Sequence, residues 1–180
     1  MSNVGYTIAP RINAAGRLGK TDVAVDLLLT HDEAEAVRLA NELCAMNRER
    51  QEIEAAMFAE AQAMLRDNPP EGKPIVLAGS NWHQGVAGIV ASRVAEKYSL
   101  PTVMICLKDG IGRGSCRSVG EFSIFEALRS CADCLVSFGG HDMAAGLGIK
   151  EEDVLCACLL HDVVEDCGVT PEELPVASAP

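Results

Sequence analysis

Three short stretches carry residue types suited to holding a phosphate: "SNWHQGVAG" (Ser80 to Gly88), "GRGSCRS" (Gly112 to Ser118) and "FGGHDMAAG" (Phe138 to Gly146). The last sets His141 behind Gly139 and Gly140 and follows it with two alanines and a third glycine. Without Cβ atoms the main chain can take positive φ angles and a ligand can approach it closely, which suits an anion lying beside an imidazole donor. The competing reading is a tight turn into a buried strand, with His141 hydrogen-bonded in the core. In the second stretch Ser115, Arg117 and Ser118 offer two hydroxyls and a guanidinium, and strand alternation puts Ser115 and Arg117 on one face. Arginine meets a phosphate through paired N–H bonds. Alone, Ser-x-Arg is ordinary surface decoration; the flanking glycines give this copy its weight. The first stretch ends a strand and opens a helix, so the amides of Gly85 and Val86 could face an anion, with Ser80 and His83 as added donors. Its alternative is a plain connection plugged by Trp82.

Those stretches need a scaffold, and the pattern from Lys73 onward supplies one. "PIVLAG", "TVMICLK" and "GIGRGSCRS" read as strands, the last with a hairpin turn, and "GVAGIVASRVAEKY" and "SIFEALRSCADCLV" as helices. "AAGLGI" reads as an edge or closing strand and "EEDVLCACLLHDVVEDC" as a final amphipathic helix. The expected fold class is α/β, a mixed sheet flanked by helices. A long connector helix precedes it: Thr30 caps it, Asp32 and Glu33 favour its first turn, and apolar residues recur from Val37 to Met64 until "DNPPEG" stops it. Its length should be about 35 residues, and its polar middle, "NRERQEIE", suits a helix crossing open space. A shorter helix, capped by Thr21 or Asp22, runs to Leu29. The opening "YTIAPRINAAGRLGKTD" has no period long enough to bury a face and reads as the ragged end of something larger. The expected division is 1–29, 30–70 for the connector, 71–170 for the binding domain, and a disordered tail at 171–180.

Composition narrows the classes. No apolar run approaches the roughly 18 residues of a membrane span and no signal peptide opens the sequence, which predicts a cytoplasmic protein with no membrane partner. Eight cysteines sit largely within apolar patterns, as reduced thiols do, and the "CADC" of Cys131 to Cys134 lacks a second pair to complete a zinc site. The net charge of −11 opposes nucleic acid until it is placed. His31 to Asp67 holds nine acids against four bases, and Glu151 to Glu173 holds eight acids and no base, so the remainder sums to +2. Arg11, Arg17, Lys20, Arg93, Arg113 and Arg117 lie in that remainder, and a polyanion responds to the local field. No cluster of Asp and His suited to a catalytic metal is evident in the sequence.

"APRINAAGR", "WHQGVAGIVASR", "GSCRS" and "FGGHDMAAG", in that order and with a long helix after the first, resemble the C-terminal part of the RecJ family of single-stranded-DNA-specific exonucleases in the DHH phosphoesterase superfamily. The resemblance covers roughly Tyr6 to Ile149, its last three motifs falling in the DHH-associated domain. It implies that Ser115 and Arg117 line the entry for single-stranded DNA, that Gly139, Gly140 and His141 sit at the scissile or a neighbouring phosphate, and that Asn13 and Arg17 come from the rim of the catalytic domain. It also implies Mn2+ or Mg2+ held by a DHH domain in cis, whose motif and metal ligands this chain lacks, so the chain reads as an inactive fragment of a 5′-to-3′ exonuclease. The alternative is a module acting on oligonucleotides or cyclic dinucleotides, or a regulatory domain for a phosphorylated ligand.

Overall fold

The structure is a computed structural model, and it describes residues 4–153. The chain divides into two compact units, Met1–Ala56 and Met57–Pro180. In the first, a π-helical turn at Val4–Ile8 leads into α1 (Ala9–Arg17), followed by α2 (Thr21–Leu29) and the start of α3 (Glu33–Asp67). The opening segment is therefore helical, although its sequence shows no helical period long enough to bury a face. A search for a wide apolar stripe misses it because α1 buries only alanines: Ala14 and Ala15 are fully buried with Ala24, Leu43 and Met46. Small side chains let helices approach closely, so two alanines suffice.

Helix α3 has the 35 residues its period implies, about 52 Å at 1.5 Å each. Its cap differs from expectation. Glu35 donates its amide to the Asp32 carboxylate at 3.0 Å, while Thr30 accepts from the Asp32 amide at 3.2 Å. Asp32 is thus the capping residue, a role worth about 1 kcal/mol. Helix α2 likewise starts at Thr21, behind a Lys20 cap residue with no side-chain bond. The polar middle of α3 is not solvated all round: the Arg50 and Glu54 side chains are each 13% exposed and paired, and Arg50 also donates to the Asn47 side chain at 2.8 Å.

The second unit is built on β1 (Ile75–Gly79), β2 (Thr102–Lys108), β3 (Ile111–Arg117), β4 (Ser137–His141) and β5 (Ala144–Lys150), with α4 (Gln84–Tyr98) and α5 (Ile124–Ser130) between them. The strand order is β1-β2-β3-β5-β4; β1 and β2 are parallel and every other pair is antiparallel, which makes the sheet mixed as expected. One sequence expectation fails here. "FGGH" is a strand, β4, and it forms the edge, which leaves "AAGLGI" inside the sheet as β5. Glycines lowered the apparent strand propensity of a segment that pairing to β5 holds extended. Helix α5 also stops short, at Ser130, where the Cys131 thiol donates its one S–H between the Ala127 and Leu128 carbonyls and a 3-10 turn at Ala132–Cys134 follows. The helix and tail expected after Lys150 lie outside the described residues, apart from a short 3-10 turn at Glu151–Asp153.

Each sheet face has its own cover. On one, Val103, Ile105, Cys116, Ala145, Leu147 and Ile149 pack with Ile124 and Leu128 of α5. On the other lies α4, whose Val86, Ala87, Val90, Ala91, Val94 and Ala95 form a buried stripe at helical spacing. At the turn into α4, Trp82 lies flat on Gly79, where a Cβ would fall 2.6 Å from the indole, and donates to Glu60 at 2.8 Å. Burial pushes the Cys106 thiol up to about 11 and Cys116 to about 12, whereas Cys134 is exposed. A thiol pKa raised in the fold supports stability below about pH 9 and loses that support as pH rises further. Among the described cysteines, alkylation at pH 8 should therefore label Cys134 first and spare Cys106 and Cys116 until the domain unfolds, as peptide mapping by mass spectrometry would show. Early labelling of Cys116 would contradict this packing.

Candidate nucleic-acid interface

His141 ends β4, and Asp142 and Met143 turn the chain into β5. That turn is fastened to the segment before α5: Ser123 donates to the Asp142 carboxylate at 2.6 Å, Ile124 N–H bonds the Asp142 carbonyl at 3.0 Å, and Ser118 N–H bonds the Met143 carbonyl at 3.0 Å. His141 is exposed, so the buried-histidine alternative does not hold. Its Nδ1 accepts from the Met143 amide at 3.4 Å. A nitrogen that accepts carries no proton, so the neutral imidazole presents its N–H at Nε2.

The register lays out what surrounds it. Paired residues of adjacent strands share a face, so Arg117, Ala144 and His141 form one row across β3, β5 and β4. Ser115, Gly146 and Gly139 form the next row. Both lie on the α4 face, since a Cβ on Gly88 would sit 2.8 Å from Arg117 Nη2 and 3.7 Å from Ser115 Oγ. Helix α4 covers this face only over part of the sheet, and beyond it the β5 residues are small. A Cβ on Gly139 would meet nothing within 4 Å, and one on Gly146 only a backbone oxygen at 3.5 Å. The result is a shallow groove floored by main chain, with Arg117 and Ser115 along one side and His141 on the other. The glycines around His141 thus clear a sheet surface, and the segment that ends in His141 is a strand.

Arg117 is held in place. Its Nε donates to Ser92 at 3.1 Å and its Nη1 to the Cys116 carbonyl at 2.7 Å, while Ser92 itself donates to the Gly88 carbonyl at 3.0 Å. These contacts use two of the five guanidinium N–H groups. Ser92, which motif reading missed, and Gly88, which it quoted without singling out, position Arg117; their spacing of four residues on a helix was the available signal. Gly88→Ala should displace the guanidinium while leaving stability within about 0.5 kcal/mol, because the obstructed atom ends a flexible side chain. Thermal melting together with a crystal structure or arginine side-chain NMR of the variant would check both halves.

The remaining sequence candidates fall elsewhere. Ser118 is buried and donates its hydroxyl to the Phe122 carbonyl, so in this structure it braces the turn before α5 and does not face the groove. His83 caps α4: its Nδ1 accepts from the Gly85 amide at 3.2 Å, and its carbonyl takes the Val86 amide at 3.0 Å. The two amides expected to await an anion are already bonded, although His83, like His141, keeps its N–H at Nε2. Ser80 is exposed in the turn before it. Because Gly79 is level with Cys106 and Arg113, that turn opens at the opposite end of the sheet face from the Arg117 row. Gly140 pairs with Ala145, and a side chain there would run into the β5 main chain. Asn13 and Arg17 belong to the first unit, exposed and one helical turn apart on α1.

Among the described residues, no three His, Cys, Asp or Glu side chains converge to hold a metal ion. A cavity of about 410 Å³ lies by edge strand β1, between Met64 and Leu77, and contains none of the motif residues. No described helix is long and apolar enough to cross a membrane.

Comparison with known proteins agrees with this architecture. The chain is 42% identical over 153 residues to the single-stranded-DNA-specific exonuclease RecJ of Bacillus subtilis and 45% identical over 148 residues to that of Thermus thermophilus. These matches cover 84% and 82% of the chain but only 20% and 21% of the relatives, so the chain spans about a fifth of their length. The crystal structure of Thermus thermophilus RecJ in complex with Mg2+ superposes with a TM-score of 0.81 at 41% identity, over 97% of this chain and 26% of that one. A manganese-bound exonuclease RecJ gives 0.82 at 39% identity, over 98% and 44%. The DHHA1 domain family matches residues 71–165, more than half of the chain and the whole of the described sheet, and the chain belongs to that family.

Proposed function

We propose that this chain is the substrate-binding part of a metal-dependent 5′-to-3′ single-stranded-DNA exonuclease acting in DNA repair and recombination in the cytoplasm. The observation that carries the reading is the groove: a main-chain floor between Arg117 and His141, which stand two strands apart in one row. Two inter-strand spacings amount to about 10 Å, so one row can flank a single sugar–phosphate backbone. Arg117 binds a phosphate through its remaining N–H groups, Ser115 adds a hydroxyl, and the open backbone at Gly139 lets the strand lie close. His141 donates its Nε2–H to the phosphate nearest the chemistry. Ser80 and His83 contact the strand further along, and in the first unit Asn13 and Arg17 are its contacts.

The described residues do not themselves fit a divalent metal, so Mn2+ or Mg2+ belongs to a DHH domain joined to this chain. On this reading the chain alone binds and does not cut. Replacing one phosphate-bound cation lowers the slope of log affinity against log salt by about 0.7 for single strands. Arg117→Ala should do so in fluorescence-anisotropy titrations of a labelled oligothymidylate, with the fold intact by circular dichroism. An unchanged affinity and slope would remove Arg117 from the interface, and preference for duplex over single strand would reject the groove.

A further inference from the structure

The rows continue past Ser115. Arg113, two residues before it on β3, shares the face of Ser115 and Arg117, because Gly112, Gly114 and Cys116 point the other way, into the α5 side. In its row stand Gly148 of β5 and Ser137 of β4. A Cβ on Gly148 would lie 2.8 Å from Ser137 Oγ, so that hydroxyl leans over the β5 main chain, into the groove. Arg113 and Ser137 are both exposed. The third row thus repeats the first in chemistry: a guanidinium on β3, a small residue on β5, and a donor on β4. One row beyond, Lys108, Ile111 and Lys150 pair across the sheet, with Asp109 and Glu151 beside them, so charge there is mixed and Arg113, like Arg117, stands one row from the stripped floor. The turn holding Ser80 and His83 opens at this same end.

Resting on the exonuclease reading above, we infer that Arg113, with Ser137 across from it, is a second phosphate-contacting position, so that the strand runs along β5 from Arg113 to the Arg117–His141 row. Four residues of strand separate the two arginines, about 14 Å. At the stacked rise of about 3.4 Å per nucleotide that is the span of about four nucleotides, so one strand can touch both.

The test uses the 180-residue chain and a labelled ten-nucleotide oligothymidylate, comparing wild type, Arg113→Gln, Arg113→Lys and Arg117→Gln. Arg113→Gln should flatten the salt slope by about 0.7, which between 50 and 200 mM salt narrows the range of affinity about 2.6-fold, and Arg113→Lys should restore it. A dinucleotide held at Arg117 is too short to reach Arg113, so its competition constant should be unmoved by Arg113→Gln. If Arg117→Gln flattens the slope and Arg113→Gln does not, the second position is wrong while the groove stands. If neither does, the exonuclease reading of this groove falls. Equal loss for the dinucleotide and the ten-mer would also overturn the second position, since it would mean a general field effect.

Discussion

Gly140→Ala should destabilise the β4–β5 hairpin far more than any other single methyl group added near the site. Gly140 has a φ of 148°, which L side chains rarely adopt, and its added Cβ would lie 2.4 Å from the Ala144 carbonyl oxygen and 2.5 Å from Ala145 Cα. Neither neighbour can move, because both are backbone of the paired strand. Left-handed strain contributes about 1–3 kcal/mol and forced overlap about as much again, a large share of a typical domain stability of about 5–15 kcal/mol. Gly139→Ala is the control. Its Cβ meets nothing, so chemical denaturation should move by less than about 1 kcal/mol, yet the methyl group projects into the groove and should weaken DNA binding. Equal stabilities for the two variants would refute the placing of Gly140 against the β5 backbone and of Gly139 in open space.

His141→Ala should weaken binding by no more than one neutral hydrogen bond and lower turnover about 100- to 1000-fold, the effect of removing one preorganised donor from a developing negative charge. The turn that carries His141 is fastened by Ser123, Asp142, Ser118 and Ile124, none of which the substitution touches, so the backbone should hold its place. A neutral imidazole displaces no counterion, and the salt slope should therefore stay as in wild type. The measurement needs this chain joined to a metal-holding DHH domain, with single-turnover degradation of a 5′-labelled strand as the readout. Full turnover in His141→Ala would leave the imidazole with no role beyond its bond to the Met143 amide. His141→Gln, which restores a donor at similar reach, should recover part of the loss.

How far the site was legible depended on what each residue's role required. Ser115 and Arg117 share a face by strand alternation alone, and the strand ranges of β1 and β2 follow from their uninterrupted apolar runs. The period of α3 defined its length because nothing breaks it before the two prolines. By contrast, Ser118 looked equal to Ser115 as a donor, and only the turn to Phe122 shows its hydroxyl already engaged. The amides of Gly85 and Val86 looked open until the ring and carbonyl of His83 were seen to cap them. Local propensity cannot report such pairings, since each depends on where a remote or turning backbone group arrives.

By itself, then, the sequence determined the periodic elements, the mixed α/β class and the types of donor available, because hydrophobic spacing and side-chain chemistry are local properties. Strand order was decided by the tertiary structure alone. Placing β5 inside the sheet and β4 at its edge puts Arg117 and His141 in one row although 24 positions separate them in the chain, and it turns a glycine-rich segment into the floor of a groove. That outcome rests on long-range pairing and on α5 and α4 covering opposite faces, where the energy comes from contacts between residues far apart in the chain.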